Sequence, residues 1–515
     1  MRRDGLLWLL TTAAFLAVNL IWEVLNQTPP IWDMAHHQLH GLYYLQAWRS
    51  GEFIERFSEI TNYYPPLYYL QEAVLMGLWP RTQFLAFLAN LPGVLLLSYC
   101  TFRIARRYAV SEPWLAGILP LLMPMVAWTS RETLLDVPLS GWVAAGVLLI
   151  LQSDMFVKPA WSALFGLVFA FGMLTKWTFV AFLAFPIMLA LVLSQHKLRS
   201  ALHLVVAGVI AAPLTLSWYW PNVGPLLARF ALTASAGTEL EKDPGWSSLA
   251  GWLYYPRCLL SYYLYLPLAV LFLAAVVLLV RNRGRSQLAL VWAWLLGAWL
   301  LLTLLDAKDP RYVMPLVAPV SIILLAGWAE RRRVVLLIGG IAALQFLLVS
   351  FNILSRPVTL AFLHKNDSDY SSLSREVVFF QTSYFDVAGP PRRQDWRVTE
   401  LLGALPSGAR VGFIPDMARF HPGVLLLPAL HEGRQLTFFR VGLGPDWSGV
   451  LDSCDYVIGK TGSQGISYIT DFNDEAYARI AAEAWPRVGQ WSLPDGSMAI
   501  VWRNPRGQLT GDLLR

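Results

Sequence analysis

Long apolar runs alternate with short polar breaks over roughly the first two thirds of the chain. A bilayer core is crossed by about 20 mostly apolar residues. Runs at 6–24, 84–102, 114–128, 137–151, 161–174, 179–193, 201–219, 264–280, 288–305, 312–328 and 334–351 approach that length. They predict a polytopic α-helical membrane protein with about eleven transmembrane helices. The first run follows Met1-Arg2-Arg3-Asp4-Gly5. It is long for the apolar region of a signal peptide, and no small-x-small cleavage pattern precedes Trp22-Glu23, so it is expected to stay as the first span.

From about residue 355 the pattern changes. Charge rises, and short alternating runs at 410–414, 423–427, 436–441, 455–458 and 498–502 predict strands, with a helix over 474–484 among them. The expected domains are therefore 1–354, spanning the membrane with long loops at 25–83 and 220–263, and 355–515, an α/β domain. Both long loops carry aromatic residues that suit short helices lying in the bilayer interface. Gly459-Lys460-Thr461 resembles the end of a phosphate loop, but the earlier glycine of that motif would fall on Cys454. A turn is expected there.

Charge gives the runs an orientation. Arg2/Arg3, Arg103/Arg106/Arg107, Lys158, Lys197/Arg199, Arg281/Arg283/Arg285 and Arg331/Arg332/Arg333 occupy alternate connections. Basic residues gather in cytoplasmic loops, so the N-terminus is expected in the cytoplasm of a plasma (inner) membrane protein. The connections 25–83, 129–136, 175–178, 220–263 and 306–311, together with the C-terminal domain, are then external.

Composition agrees with this layout. The chain of 515 residues is 56% hydrophobic and 14% charged, against about 25% charged residues in soluble domains. Its 23 Trp and 20 Tyr suit interfacial belts. The net charge of +6 follows from the basic loops and gives no reason to expect a nucleic-acid partner. Cys100, Cys258 and Cys454 are too scattered for a metal motif or a disulfide framework.

Candidate chemistry gathers on the expected external face. Asp33, His36, His37 and His40 stand at i, i+3, i+4 and i+7, on one face of a helix. A carboxylate there can act as a general base or cap the helix. His36 can meet a phosphate or a metal ion, and His37 and His40 read as interfacial polar residues. Asp136 opens the run Val137-Pro138-Leu139 after Ser130-Arg131-Glu132-Thr133, where an N-cap is the simplest role. Lys176 sits in the tight connection Leu174-Thr175-Lys176-Trp177, able to meet a phosphate or to snorkel. Lys308 and Arg311, in Asp306-Ala307-Lys308-Asp309-Pro310-Arg311-Tyr312, are cations on the face where the positive-inside rule predicts none. Pairing with Asp306 or Asp309 accounts for them, and so does an anionic ligand.

The set and order of these pieces resemble the GT-C fold of polyprenyl-phosphate-sugar-dependent glycosyltransferases, and within it the protein O-mannosyltransferase and aminoarabinose (lipid A) transferase-like group. The resemblance rests on Trp32-Asp33 after the first span, Tyr64-Pro65-Pro66-Leu67-Tyr68, the stretch from Arg131 through Asp136 to Leu139, Leu174-Thr175-Lys176, and Lys308 through Leu316. It implies an integral-membrane glycosyltransferase that moves a hexosyl or pentosyl group from a polyprenyl-phosphate donor to a glycan, lipid or protein acceptor. In that family the first external loop supplies an acidic residue that acts as catalytic base or acceptor activator, matched by Asp33 and implying inversion, and the second supplies another carboxylate, matched by Asp136. A second acid often follows the first, and Met34 stands in its place here. Lys176 and Arg311 match family positions and are expected to bind the lipid phosphate, with Lys308, His36, Tyr64 and Arg131 as further substrate contacts. A divalent metal ion is the one cofactor these residues leave open, with Asp33, His36 and Asp136 as candidate ligands. A lipid or solute transporter is the alternative reading. Transporters place charged or broken positions within their spans, whereas here the ionisable residues lie at one face.

Overall fold

A computed structural model describes residues 2–79, 84–239, 243–281, 288–351, 358–361, 376–380, 390–465 and 469–507. The expected boundary at 354/355, the expected cytoplasmic Arg283 and Arg285, and the end of the loop 25–83 lie outside these residues.

The chain divides into two compact units. One joins Met1–Glu23 to His40–Pro390, and the other joins Val24–Leu39 to Pro391–Arg515. The segment that follows the first apolar helix thus belongs with the C-terminal unit, because its backbone bonds are made there.

The first unit is helical apart from an antiparallel pair of strands, Val358–Ala361 with Glu376–Phe380. Each of the eleven apolar runs lies on helix, at Arg2–Leu25, Leu85–Arg107, Pro113–Leu122 with Pro124–Thr129, Asp136–Gln152, Pro159–Thr175, Phe179–Leu193, Lys197–Glu239, Tyr265–Arg281, Ala289–Thr303, Pro310–Leu316 with Val317–Gly327, and Arg332–Phe351. Six stretches among the described residues are long and apolar enough to cross a membrane by length and composition: Arg3–Leu25, Leu85–Arg107, Lys197–Ala234, Leu249–Arg281, Pro310–Gly327 and Arg332–Phe351. The other apolar helices are shorter than a full span. Proline explains two of the irregularities. Pro124 restarts the helix after Met123, which is extended at φ −68°, ψ 133°, and Pro310 opens a 3-10 turn capped by Asp309, whose carboxylate accepts from the Arg311 backbone N–H.

The helix starting at Lys197 does not stop near 219, where the sequence predicts a loop. It runs to Glu239 through Pro213, Pro221 and Pro225. Proline removes one backbone donor and is tolerated in long apolar helices, so the aromatic stretch after 219 begins as helix. Beyond it lie Leu249–Cys258 and a π-helical turn at Leu259–Leu264.

Helices Trp32–Ser50 and Leu67–Leu78 occupy the loop after the first helix. They approach closely at Gly41, where a Cβ would stand 2.7 Å from the Glu72 Cβ. Any larger residue at 41 would push the helices apart.

The second unit holds a five-stranded sheet. With the two-stranded pair β1 (Val358–Ala361) and β2 (Glu376–Phe380) counted first in the chain, its strands are β3 (Arg410–Phe413), β4 (Thr437–Arg440), β5 (Tyr456–Lys460), β6 (Arg487–Ser492) and β7 (Met498–Arg503), in the order β4-β3-β5-β7-β6. β3 runs parallel to β4 and β5, and β7 is antiparallel to β5 and β6. Val411, Phe413, Ile458 and Val501 face one core with Leu401 and Leu425. Val457 and Trp502 face a second with Ala476 and Ile480. Burial on both faces explains why β3, β5 and β7 read as nearly continuous apolar runs.

Two expectations are corrected here. The apolar run 423–427 is helix, Pro422–His431 with proline at its first position, and not a strand. Gly459-Lys460 ends β5 rather than forming a turn, and the buried Lys460 ammonium pairs with Asp495 at 2.7 Å.

Candidate active site

In the first unit Asp136, Lys176 and the turn Pro310–Leu316 come together. Helix Asp136–Gln152 begins at Asp136, but the Asp136 side chain does not cap it. Its Oδ1 accepts from Lys176 Nζ at 2.8 Å. Both residues are almost wholly buried, Asp136 at 2% and Lys176 at 4% exposure, so neither snorkels to an interface. Two aromatic faces complete the surroundings of the ammonium, Tyr312 at 4.9 Å and Tyr64 at 5.7 Å from the ring centres. An ammonium carries three N–H bonds. One meets Asp136, and the rings attract its charge without supplying strong acceptors.

Arg311, next to Tyr312, is held by Asp309. Its Nε lies 3.0 Å from Asp309 Oδ2 and its terminal nitrogen 2.7 Å from the same oxygen. This pair is partly exposed, at 20% for Arg311 and 25% for Asp309. The pairing expected for a cation in this loop is therefore made by Asp309. Lys308 turns to backbone carbonyls, donating to Thr303 at 3.0 Å and to Leu305, while its own N–H donates to Asp243 Oδ2 at 2.7 Å. Burial lowers the Lys308 ammonium pKa against the opposing pull of Asp243 and Asp306. Tyr263 donates to the Pro310 carbonyl at 2.8 Å and Tyr254 to that of Lys308 at 3.3 Å. These bonds fix the loop that presents Arg311 and Tyr312.

Arg131 is a brace. Its guanidinium donates to Asn19 and to Ser350 Oγ, and stacks 4.8 Å from the Trp22 ring. Burial pushes its pKa down to about 9, with Glu23 and Glu132 opposing the shift. It ties the first helix to Arg332–Phe351. Asn90 holds the same connection from the other side, donating to the carbonyls of Thr129, Ser130 and Glu132.

Glu72 is a carboxyl that periodicity did not single out. It is fully buried, and neither carboxyl oxygen has a hydrogen-bond partner among the described residues. Burial raises its pKa well above the ordinary carboxylate range. A group that keeps its proton in the folded state and loses it in the unfolded state costs stability as pH rises from the unfolded pKa toward the folded one. Glu72→Gln removes that titration. The variant is expected to gain on the parent by up to about 1.4 kcal/mol per pH unit above the ordinary carboxylate range, read as unfolding midpoints in detergent between pH 5 and pH 9. Equal midpoints at every pH would mean Glu72 is ionised in the folded protein.

Asp33 and His36 lie in the second unit. Asp33 is the second residue of helix Trp32–Ser50, in the first turn, where a carboxylate favours the helix dipole. The preceding segment is held by the C-terminal residues. Gln27 N–H donates to the Arg392 carbonyl at 2.8 Å, Arg392 N–H to Asn26 Oδ1 at 3.1 Å, and Arg419 to the Pro29 carbonyl at 2.9 Å. His421 bonds the Pro30 backbone and lies within electrostatic reach of His36, Asp33 and Arg440. Asp416 faces Arg440 at 3.4 Å and the Trp32 indole, yet burial raises its pKa. His421, Asp416 and Arg440 carry no sequence motif, and only the folded segment 26–33 brings them to Asp33.

Among the described residues no group of three or more His, Cys, Asp or Glu side chains is placed to hold a metal ion, and the Asp136 carboxylate is engaged by Lys176.

No protein-family model matches the chain, and no curated protein matches it in sequence. Solved structures do match. The chain is similar to ArnT from Cupriavidus metallidurans in the apo state, with a TM-score of 0.62 and 15% identity over 98% of this chain and 99% of that one. It is similar also to ArnT from Cupriavidus metallidurans bound to undecaprenyl phosphate, with a TM-score of 0.60 and 14% identity over 96% and 97% of the two chains. At such identity the likeness is one of fold. That likeness of fold extends along nearly the whole chain.

Proposed function

We propose that the chain is a multi-pass inner-membrane glycosyltransferase, with its N-terminus in the cytoplasm and residues 355–515 outside. It transfers a sugar from a polyprenyl-phosphate donor to an acceptor on the external face. The observation that carries this reading is the buried Lys176 ammonium set between Asp136 and two tyrosine rings. The fold shared with a protein solved bound to undecaprenyl phosphate supports it.

The chemistry follows from the side chains. The Lys176 ammonium donates one N–H to Asp136 and has two more to offer the phosphate oxygens. Arg311, oriented by Asp309, supplies a second cation, and Tyr64 walls the Lys176 site. As the sugar–phosphate bond breaks, negative charge grows on the phosphate, and fixed cations stabilise it by a few kcal/mol each. Asp33 accepts the proton of the acceptor hydroxyl or amine while that atom attacks the anomeric carbon. The bond to the sugar forms on one side as the bond to phosphate breaks on the other, so the anomeric centre inverts. Polyprenyl phosphate leaves, and the proton rests on Asp33. His36, three residues along the same helix, stands beside the base.

The reading is tested with purified protein, a polyprenyl-phosphate sugar, and acceptors drawn from glycans, lipids and hydroxyl-bearing peptides. Polyprenyl phosphate is expected to be released only when donor and acceptor are both present, and the product is expected to carry the inverted anomer. Donor left intact with every acceptor, together with lipid translocation in sealed vesicles, would replace this reading with the transporter.

A further inference from the structure

The second unit raises a question that the transfer reaction leaves open, namely what holds the candidate base. Residues 26–31 are not regular structure, and Asp33 follows directly at the start of a helix. An irregular segment would leave the carboxylate loosely placed. Here it is anchored at consecutive points. Asn26 and Gln27 bond the backbone of Arg392, the Pro29 carbonyl accepts from Arg419, and the Pro30 backbone bonds His421. Proline has no N–H, so the Pro30 partner of His421 is its carbonyl and the imidazole is the donor. The other ring nitrogen, Nε2, is buried without a hydrogen-bond partner among the described residues, which places the donated proton on Nδ1.

His421 is set up to make that bond. It is 2% exposed and stands directly before Pro422, the first residue of helix Pro422–His431. Gly423 leaves room for it. A Cβ there would lie 3.0 Å from His421 Cε1 and 3.1 Å from the Ala35 Cβ, two residues beyond Asp33. On the other side Asp416 faces Trp32, the neighbour of Asp33, and its backbone is locked by Gly465. Gly465 has φ +107°, and a Cβ there would stand 2.1 Å from the Asp416 carbonyl oxygen. Contacts thus reach the residues before Asp33 and after it.

We infer that His421 is a positioning residue for transfer. Through the Pro30 carbonyl it fixes the segment that carries Asp33, and this clasp on residues 26–33 is a function of the C-terminal unit. The inference rests on Asp33 being the base. Burial, which holds the His421 imidazole pKa down to about 3, agrees with a neutral ring that donates from one nitrogen only.

The test uses the full chain with a polyprenyl-phosphate sugar donor. His421→Leu removes the donor, and His421→Asn keeps an N–H close to the Nδ1 position. His421→Leu is expected to lower kcat by about 10²-fold, the cost of misplacing a reacting group by about 1 Å. Its KM for donor and its binding of polyprenyl phosphate should stay at parental values, because the phosphate cations are untouched. His421→Asn should recover most of the lost rate. Hydrogen exchange should rise over residues 26–33 in the Leu variant alone. Should His421→Leu fail to fold, Arg419→Gln, which loosens the Pro29 anchor, is expected to show the same fall in kcat at unchanged KM. Parental kcat in His421→Leu, or Leu and Asn variants equally impaired, would overturn the inference while Asp33→Asn stays inactive. An active Asp33→Asn would instead overturn the role of Asp33 itself.

Discussion

Asp33→Asn is expected to stop sugar transfer while the protein still folds and still binds polyprenyl phosphate. The amide has the shape of the carboxylate but cannot accept the acceptor's proton. Loss of a general base slows a reaction by about 10² to 10⁴-fold. The cost to folding is small, because a first-turn carboxylate contributes about 0.3–1 kcal/mol through the helix dipole, and Asn tolerates the same position. The loss should therefore appear in kcat, with the unfolding midpoint and phosphate binding close to parental. His36→Asn, three residues on, should cost less, since that ring stands beside the base and does not replace it. Polyprenyl phosphate release by Asp33→Asn at the parental rate would remove Asp33 from the chemistry and return it to the role of a helix-start acid.

The helical runs were readable because apolar length is a one-dimensional signal. A segment such as 85–107 must be helical to satisfy its backbone in a bilayer, whatever its neighbours are. Boundaries were less readable. Helix Lys197–Glu239 passes the expected end near 219 because proline in an apolar helix bends the chain without ending it. The run 423–427 became a helix because four apolar residues in a row fit either structure, and Pro422 settled the matter by opening the first turn. The candidate site shows the same division. Asp136 and Lys176 were each found from position in the sequence, but the bond between them joins connections 40 residues apart and has no sequence signature. Glu72 was invisible because a buried acid in an aromatic helix has the same letter as a solvated one. His421 and Asp416 were invisible for another reason. They matter only because the segment 24–39 folds with the C-terminal unit, a long-range pairing that no local pattern records.

The Asp136–Lys176 pair gives the second large effect, and a way to separate structure from chemistry. Lys176→Met should abolish transfer, because it removes the ammonium assigned to the leaving phosphate, an effect of about 10² to 10³-fold for one lost donor. It should also destabilise the protein. Asp136 is 2% exposed, and a carboxylate stripped of its partner in such a place costs about 3–5 kcal/mol. Asp136→Leu should do comparable damage by leaving the ammonium alone. Either variant by itself is ambiguous, since lost activity and lost stability arrive together. The double variant Lys176→Met/Asp136→Leu resolves this. Replacing both members of a buried pair with apolar side chains of similar volume is often neutral or stabilising, so the unfolding midpoint should return to near the parental value. Transfer should not return, because the phosphate still lacks its cation. A double variant that regains both stability and transfer would show that the pair only holds the connections together, and the phosphate would then have to be held by Arg311 without it. A double variant that is stable and inactive places the ammonium in the reaction, with Asp136 as the group that holds and aims it.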